Sequence, residues 1–366
     1  MSDSCAAPIR SLDVHAYRIP TDQPESDGTF EWHATTMVVV HLEAGGQRGI
    51  GYTYADTATA TLISDTLRDV VIGRDAMGVE GAWWAMAGAI RNLGRPGIAS
   101  MAISAVDVAL WDLKGKLLGV SVLGLLGAAR EAVPIYGSGG FTSYDIPTLQ
   151  QQLYGWVGMG IPRVKMKVGR DPDCDPERVR AARDAIGPGA QLFVDANGAY
   201  SRKQSLHLAQ RYAEFDVSWF EEPVSSDDLD GLRLLRDRAP AGMDIAAGEY
   251  GYDVPYFRRM LASGSVDVLQ ADGSRCGGIT GFRQAAAVAQ GFSIPVSAHC
   301  APSLHAQVCC ACQDVRHIEY FHDHVRIEEE LFDGVLQPND GALRPDLSRP
   351  GLGLEFKTSN AQRYAL

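Results

Sequence analysis

Charged side chains end a series of short β-rich segments in the second two thirds of the chain. These segments are apolar, as in "RVKMKVG" and "QLFVDAN", and each ends in a group that can transfer a proton or bind a cation. The groups are Lys165, Lys167, Asp195, Glu221, Glu249, Asp272, His299 and Glu319. If the segments are parallel strands of one sheet, their carboxyl ends meet at one edge, and these groups would share a single site.

Three of these groups are carboxylates at a regular spacing. Asp195, Glu221 and Glu249 lie 26 and 28 residues apart, and each interval fits one strand followed by one helix. Neighbouring carboxylates repel one another unless a cation joins them. A set of oxygen ligands without Cys or His favours Mg²⁺. We therefore predict a magnesium site, with three separate salt bridges to arginines as the alternative.

Lys165 and Lys167 form a K-x-K pair within one β-rich segment. Alternate residues of a strand point to the same face, so both ammonium groups would point to one spot. Lys165 can bind a substrate carboxylate, and together with a metal it can lower the pKa of Lys167 until Lys167 acts as a base. The alternative is a solvated strand edge, which the apolar surroundings of the pair disfavour.

Asp272 and His299 indicate a second proton-transfer group. They lie 27 residues apart, which again fits one strand and one helix. An acid beside a histidine fixes its tautomer and stabilises the imidazolium, so His299 is a candidate acid or base rather than a structural histidine. Glu319 can donate a hydrogen bond if protonated or accept one if ionised, and the sequence leaves both roles open.

The elements that would position these groups form a repeating series. Eight β-rich segments between Val133 and Tyr320 alternate with helical patterns such as "DPERVRAARDAIG". Repeated strand–helix units with eight strands predict a barrel over residues 129–320. An open, doubly wound sheet is the alternative, but its usual fingerprint is missing, since "GSGG" lacks the G-x-G-x-x-G spacing.

The segments on either side of the barrel predict a second unit. In residues 1–128, β-rich stretches such as "TTMVVVHLEA" precede the helical pattern "SMAISAVDVALWDLKGKLLG", which indicates an α+β capping domain. Between the first two stretches, the polar "TDQPESDGTFEW" predicts a loop of about a dozen residues that could act as a lid. Residues 321–366 are turn-rich and are predicted to return to the capping domain.

The composition argues against several classes of protein. The 366 residues carry a net charge of −12 and no long basic run, which disfavours nucleic-acid binding. No stretch of ~20 apolar residues could span a membrane, and "MSDSCAAPIR" lacks the features of a signal peptide. Seven scattered cysteines, including the C-x-x-C of Cys309 and Cys312, predict free thiols rather than disulfides or a metal site. We expect a cytoplasmic protein.

The ordered motifs resemble the enolase superfamily, in particular its mandelate racemase subgroup, which holds proteins similar to mandelate racemase, muconate lactonizing enzyme and acid sugar dehydratases. The matching motifs are "VKMKVG", "VDANGAY", "WFEEPV", "AAGE", "LQADGSRCGGIT", "PVSAHCAP", "SAVDVALWDLKGKLLG" and "PGLGLEF", and the similarity extends over nearly the whole chain. The resemblance implies a modified TIM barrel of the (β/α)7β type, an α+β capping domain, one Mg²⁺ and an enolate intermediate. It also implies a homo-oligomer.

The resemblance further implies a role for each group that would handle protons. Lys167 would be one base. His299, paired with Asp272, would be a second base on the opposite face of the substrate. Lys165 would hold the substrate carboxylate, and Glu319 would belong to the same catalytic set.

Other residues acquire implied roles in binding. Asn197 and Ser138 would bind substrate oxygens near the metal. In "WFEEPV", the first acid, Glu221, would be the metal ligand rather than Glu222.

We expect the substrate to be a small anionic hydroxy acid or sugar acid. The expected reaction removes the proton α to the carboxylate and then expels the β-hydroxyl as water, which gives a 2-keto-3-deoxy acid. The polar lid, with Trp32 and His33 as candidate contacts, favours such a polyol. The alternative is racemisation or epimerisation of a 2-hydroxy acid by the same Lys/His pair. A protein that binds metal and acid without turnover would be expected to lack one catalytic group, and none is missing.

Overall fold

In the computed structural model, which describes residues 7–366, the chain begins with an antiparallel sheet of three long strands. The strands are β1 (Ser11–Ser26), β2 (Glu31–Ala44) and β3 (Gln47–Tyr54). They are followed by α1 (Thr57–Leu62), a π-helical segment (Ile63–Leu67), α2 (Arg68–Val71), α3 (Val79–Ala89), α4 (Ile98–Leu118) and α5 (Val122–Leu126). This is the antiparallel α+β cap that the sequence predicts.

Glycines let helix α4 pack directly on strand β3. A side chain at Gly51 would come within 2.1 Å of the Ala105 carbonyl oxygen, and one at Gly49 within 2.5 Å of the Ala109 carbonyl oxygen. Only glycine permits backbones to approach this closely. The contact fixes the long helix across the sheet, and α4 in turn carries the cap onto the rest of the molecule.

From Val133 the chain alternates between parallel strands and helices. The strands are β4 (Val133–Gly139), β5 (Arg163–Lys167), β6 (Gln191–Asp195), β7 (Val217–Glu221), β8 (Asp244–Ala247), β9 (Val268–Ala271), β10 (Val296–Ala298) and β11 (Val315–Phe321). The helices are α6 (Ile146–Gly158), α7 (Asp175–Ile186), α8 (Arg202–Ala213), α9 (Leu229–Arg238), α10 (Val254–Ala262), α11 (Gly278–Gly291), α12 (Pro302–Cys310) and, after the last strand, α13 (His322–Leu331). Because β11 pairs with β4, the sheet closes into an eight-stranded barrel. The predicted modified TIM barrel is confirmed, and the open sheet is excluded.

Aromatic side chains fill the barrel below its carboxyl end. Tyr136, Phe193 and Trp219 are buried, and the rings of Phe193 and Trp219 stack with centroids 5.3 Å apart. The interior is therefore a solid core, as is usual in such barrels. The ionisable groups lie above this core, at the carboxyl ends of the strands.

Hydrogen bonds fix the cap to the barrel at the start of helix α11. The indole nitrogen of Trp83 donates to the Gly277 carbonyl oxygen at 2.7 Å, and that of Trp111 donates to Thr280 Oγ1 at 3.0 Å. The buried carboxylate of Asp107 accepts from the Thr280 backbone N–H at 3.0 Å. The cap is thus held in one position over the rim.

The C-terminal segment returns to the cap. It forms β12 (Phe332–Asp333), β13 (Ala342–Leu343), β14 (Glu355–Phe356), α14 (Thr358–Ala361) and a 3-10 turn (Gln362–Tyr364). Asp112 of α4 is fully buried and accepts hydrogen bonds from the backbone N–H groups of Ile50 and Leu352, both at 2.7 Å. One carboxylate thereby joins the sheet, the helix and this segment. The division into residues 1–128, 129–320 and 321–366 stays a proposal.

The segment predicted as a lid loop is instead part of a hairpin. Strand β1 runs to Ser26 and β2 begins at Glu31, so only residues 27–30 turn. A register shift between Pro20 and Glu25 accommodates the proline and polar residues that suggested a loop. The tip packs on the barrel rim, because a side chain at Gly28 would come within 2.7 Å of the Val168 carbonyl oxygen. The hairpin is a fixed wall of the site.

The cysteines agree with the prediction of free thiols. Six of them lie in the part of the chain that the structure describes and none of these six forms a disulfide, while Cys309 and Cys310 are buried in α12. Cys5 and most of the segment considered for a signal peptide lie outside the described residues. Within residues 7–366, no helix combines the length and the hydropathy needed to cross a bilayer.

Replacing Asp112 with alanine should destabilise the whole fold. The change leaves the backbone N–H groups of Ile50 and Leu352 buried without an acceptor, so we expect the free energy of unfolding to fall by about 2–4 kcal/mol. Urea denaturation followed by circular dichroism measures it. The matched control is Asp13→Ala at an exposed position, which should change the value by less than ~0.5 kcal/mol. Equal effects of the two substitutions would contradict the proposed role of Asp112.

Candidate active site

The strand register places three predicted site residues side by side. Lys167 pairs with Asp195 across β5 and β6, and Asp195 pairs with Glu221 across β6 and β7. Glu249 follows the end of β8 by two residues. Carboxylate oxygens of Asp195, Glu221 and Glu249 lie within 4.8 Å of one another, and all three residues are buried. The structure thus brings the predicted ligand set together.

This cluster fits a hard divalent cation. All its donors are oxygens, as Mg²⁺ prefers. Glu249 Oε2 and Asn197 Oδ1 are buried, and neither accepts a hydrogen bond from the described residues. Burial, and after it the charge of Asp195, raise the pKa of Glu221 to about 8, and a bound cation would act in the opposite direction.

Both lysines are buried among these acids. Lys167 Nζ lies 2.5 Å from Asp195 Oδ2, while Lys165 Nζ lies 2.5 Å from Glu221 Oε1 and 2.8 Å from Glu319 Oε1. Burial and Lys165 act to lower the pKa of Lys167, but the carboxylates, led by Asp195, outweigh them and leave it raised. The sequence led us to expect a lowered pKa for Lys167, but the protein's own groups do not produce it.

Lys165 and Ser138 lie beneath the cavity rather than on its wall. Both side chains are fully buried. Ser138 Oγ donates to Glu319 Oε1 at 2.6 Å, the oxygen that also contacts Lys165. Their observed partners are therefore protein groups, and their predicted contacts with substrate stay proposals.

His299 is held by Asp272, as the spacing of the two residues suggested. Asp272 Oδ2 lies 2.9 Å from His299 Nδ1. Burial acts to lower the pKa of His299, but Glu249, Glu319 and Asp272 outweigh it and leave the pKa raised. The imidazolium is thus favoured, and Nε2 faces the other acids, which suits a proton donor or acceptor.

The neighbours of Glu319 favour its ionised form. Burial acts to raise its pKa, but Lys165 and His299 lower it well below its ordinary value. Of the two roles left open by the sequence, the geometry favours the hydrogen-bond acceptor.

A cavity of about 490 Å³ opens above these groups, between the barrel rim and the hairpin. Its barrel side includes Lys167, Asn197, Glu249, His299 and Glu319. Lys167 lies at the end of β5 and His299 directly follows β10, and the strands β11 and β4 separate the two around the rim. A ligand in the cavity can therefore meet one group from each side.

The hairpin contributes Trp32 but not His33. Trp32 lines the cavity, and its indole nitrogen donates to the buried Glu25 at 2.8 Å. Successive residues of a strand point to opposite faces, so the side chain of His33 faces outward and is 73% exposed. The structure thus does not place the predicted substrate contact His33 at the cavity.

Arg275, Tyr250 and Cys300 are among the cavity residues that were not singled out from the sequence. Arg275 lies 3.4 Å from Glu249 and 3.5 Å from Asp272, with its guanidinium over the ring of Tyr250. Cys300 follows His299 directly. Their position in the sequence could have indicated two of them. Arg275 lies in "LQADGSRCGGIT" near Asp272, and Cys300 lies in "PVSAHCAP" next to His299.

Strained backbone marks the turns that follow the strands. Asn197, Glu222, Cys300 and Ala301 have φ values of 46°, 37°, 53° and 40°. Residues other than glycine rarely adopt this left-handed conformation, and when they do it is often at functional sites. At these turns the chain leaves the barrel sharply and aims the preceding side chains at the cavity.

Two family profiles together match most of the chain. Residues 16–127 match the N-terminal domain of mandelate racemase / muconate lactonizing enzyme, and residues 148–360 match an enolase C-terminal domain-like family. The chain belongs to this mandelate racemase/muconate lactonizing enzyme family of the enolase superfamily.

Solved structures of the family align with the whole chain. One is the structure of a mandelate racemase/muconate lactonizing enzyme-like protein from Rubrobacter xylanophilus. It is 54% identical in sequence, its TM-score is 0.96, and the alignment covers 98% of this chain and 100% of the related chain. That of a racemase from Streptomyces coelicolor A3(2), with bound magnesium, is 31% identical, with a TM-score of 0.92 and coverage of 98% and 100%.

Named relatives in the family include two that act on acid sugars by name. The 3,6-anhydro-alpha-L-galactonate cycloisomerase of Streptomyces coelicolor is 33% identical, over 98% of this chain and 99% of its own. The L-talarate/galactarate dehydratase of Salmonella typhimurium is 30% identical, over 87% of this chain and 79% of its own.

The two adjacent acids of "EEP" should differ in their effect on magnesium binding. We expect Glu221→Gln to weaken Mg²⁺ binding at least about tenfold, because even outer-shell partners contribute ~10–100-fold to metal affinity. Glu222→Gln, the matched control, should retain most of the affinity. Isothermal titration with MgCl₂ measures both, and an equal loss in the two variants would contradict the assignment of Glu221 as the ligand.

Proposed function

We propose that this protein is a Mg²⁺-dependent enzyme that removes the proton α to the carboxylate of an acid sugar and then eliminates the β-hydroxyl as water. The reaction class is that of an aldonate or aldarate dehydratase. One observation carries the proposal: three clustered carboxylates, of which Glu249 lines the cavity, lie beside a cavity whose wall also includes Lys167 and the Asp272-bound His299.

Asp195, Glu221 and Glu249 would hold the cation. When bound, Mg²⁺ offsets the charge of the acids around Lys167 and stabilises negative charge that develops on the substrate carboxylate. Support for this ion comes from the all-oxygen donor set and from the magnesium in the related racemase structure.

Lys167 and His299 divide the proton transfers. His299 has a raised pKa and a carboxylate partner, so as an imidazolium it is suited to protonate a departing β-hydroxyl. Before that step, Lys167 takes the α-proton from the other side, in the form that has lost its own proton. Loss of the α-proton leaves an enolate, and expulsion of water from it gives an enol that becomes the 2-keto-3-deoxy acid.

The rest of the cavity suits a hydroxylated acid. Its wall includes Thr35, Asp56, Asn197 and Arg275, which offer both donors and acceptors to hydroxyl groups. Arg275 adds a cationic fork that can meet a carboxylate. Trp32 supplies an apolar face. A volume of about 490 Å³ lies within the usual ~300–1,000 Å³ of small-molecule sites.

Isomerisation of an acid sugar is the second candidate. The similarity to a cycloisomerase and to a racemase favours it. Return of a proton to the opposite face of the enolate would give an epimer, and departure of a ring oxygen from the β-carbon in place of a hydroxyl would also give an isomer. Both reactions would use the same lysine and histidine, so the difference lies in the substrate.

Two further expectations belong with the proposal. We propose a cytoplasmic location, which is supported by six cysteines that remain free thiols among the described residues. We also propose a homo-oligomer, which rests on the resemblance alone.

Incubation with a panel of acid sugars tests the proposed reaction. Purified protein with MgCl₂ should convert at least one aldonate or aldarate to a 2-keto acid, detected as its semicarbazone, and chelation of the metal should abolish the activity. Formation of an epimer or a ring-opened isomer without loss of water would establish the second candidate instead. No change in any acid, including no exchange of the α-proton with solvent deuterium, would contradict both.

Single substitutions of the two proton-transfer groups should separate catalysis from binding. We expect Lys167→Met and His299→Asn each to lower kcat by about 10²–10⁴-fold, the usual contribution of a general acid or base. Binding of Mg²⁺ and of the acid, measured by titration calorimetry, should persist. Turnover within threefold of wild type in either variant would contradict the assigned role.

A further inference from the structure

The cavity wall carries a second set of metal-ligating atoms, which borders the three clustered acids where His299 Nε2 lies 3.3 Å from Glu249 Oε2. Cys300 Sγ lies 3.3 Å from His299 Nε2 and 3.3 Å from Glu319 Oε2, and these nitrogen and oxygen atoms lie 3.6 Å apart. Tetrahedral zinc, with bonds of about 2.0–2.3 Å, places its ligand atoms about 3.3–3.7 Å from one another. The three atoms already have nearly this separation.

The surrounding hydrogen bonds aim these atoms at a common point. Asp272 occupies His299 Nδ1 at 2.9 Å, so the other ring nitrogen, Nε2, is the one directed at Glu249, Cys300 and Glu319, the usual arrangement of a metal-binding histidine. Ser138 and Lys165 both contact Glu319 Oε1, at 2.6 and 2.8 Å. The other carboxylate oxygen, Oε2, is the one that lies next to Cys300 Sγ. The positive φ of Cys300 turns its side chain back onto His299.

We propose that His299, Cys300 and Glu319 form a zinc site, and that Zn²⁺ bound there inhibits the enzyme. All three residues line the cavity, so an ion can enter and water can complete its coordination. A thiol binds zinc as the thiolate, so the ion would displace the Cys300 proton to solvent. The inhibitory part rests on the proposed function, because it requires His299 to transfer protons.

The two sites differ in the ions that they favour. The clustered acids offer only oxygen and suit Mg²⁺, whereas a set of nitrogen, sulfur and oxygen suits Zn²⁺ or Co²⁺. Zinc bound to His299 Nε2 would occupy the lone pair to which a proton must bind during the reaction. Excess Mg²⁺ should therefore not relieve the inhibition.

Cobalt spectroscopy tests the site without reference to activity. Protein saturated with MgCl₂ is titrated with Co²⁺, and a thiolate-to-cobalt charge-transfer band in the near ultraviolet is expected. The band should be absent in Cys300→Ser and weaker at equal Co²⁺ in His299→Asn, which removes a different ligand. It should be unchanged in Cys174→Ser, the matched control at an exposed cysteine.

The outcomes are distinct. No band in the wild type, or a band that persists in Cys300→Ser, would overturn the site whether or not a substrate has been found. Zinc inhibition is then measured with a turned-over acid in excess Mg²⁺. We expect Cys300→Ser to need at least about tenfold more Zn²⁺ for half inhibition. A wild-type band without loss of turnover would overturn the inhibitory role.

Discussion

Repulsion between buried carboxylates is the constraint on which the site depends. The parallel register fixes Asp195 beside Glu221, and Glu249 follows on the next strand, so the three acids cannot move apart without breaking the barrel. Lys165 and Lys167 offset part of this charge at 2.5 Å. A divalent cation would offset the rest. The fold thus holds a group of acids in a geometry that is unfavourable by itself and favourable around a metal.

The rest of the structure serves to keep that arrangement in place. The aromatic core of Tyr136, Phe193 and Trp219 closes the barrel below, and the indole nitrogen of Trp219 donates to Glu221 at 2.9 Å. Above, helix α4 binds the cap to the barrel and the hairpin tip packs on the rim at Gly28. Asp195, Glu221 and Lys165 are fully buried between them, and this shielding from water strengthens the electrostatic interactions among the three.

The sequence predicted the barrel and the acid cluster because both follow from local rules. Apolar strands at regular intervals determine a closed parallel sheet, and the residue at each strand end then has a known neighbour. The hairpin was missed because its proline and polar residues are tolerated at a bulge. His33 was predicted to contact the substrate, but the face of the sheet to which a side chain points depends on the register of the strand. The burial of Lys165 and the contact of Cys300 with His299 depend on side-chain directions in three dimensions, which spacing cannot supply.

The central claim is that two proton-transfer groups flank one bound acid from opposite sides. The most direct measurement follows exchange of the α-proton in D₂O with Mg²⁺ by NMR, using both α-epimers of an acid that the enzyme binds. The account predicts that Lys167→Met and His299→Asn each exchange only one epimer, and that the two variants choose opposite epimers. Exchange of the same epimer by both variants would place the two groups on one side and contradict the account.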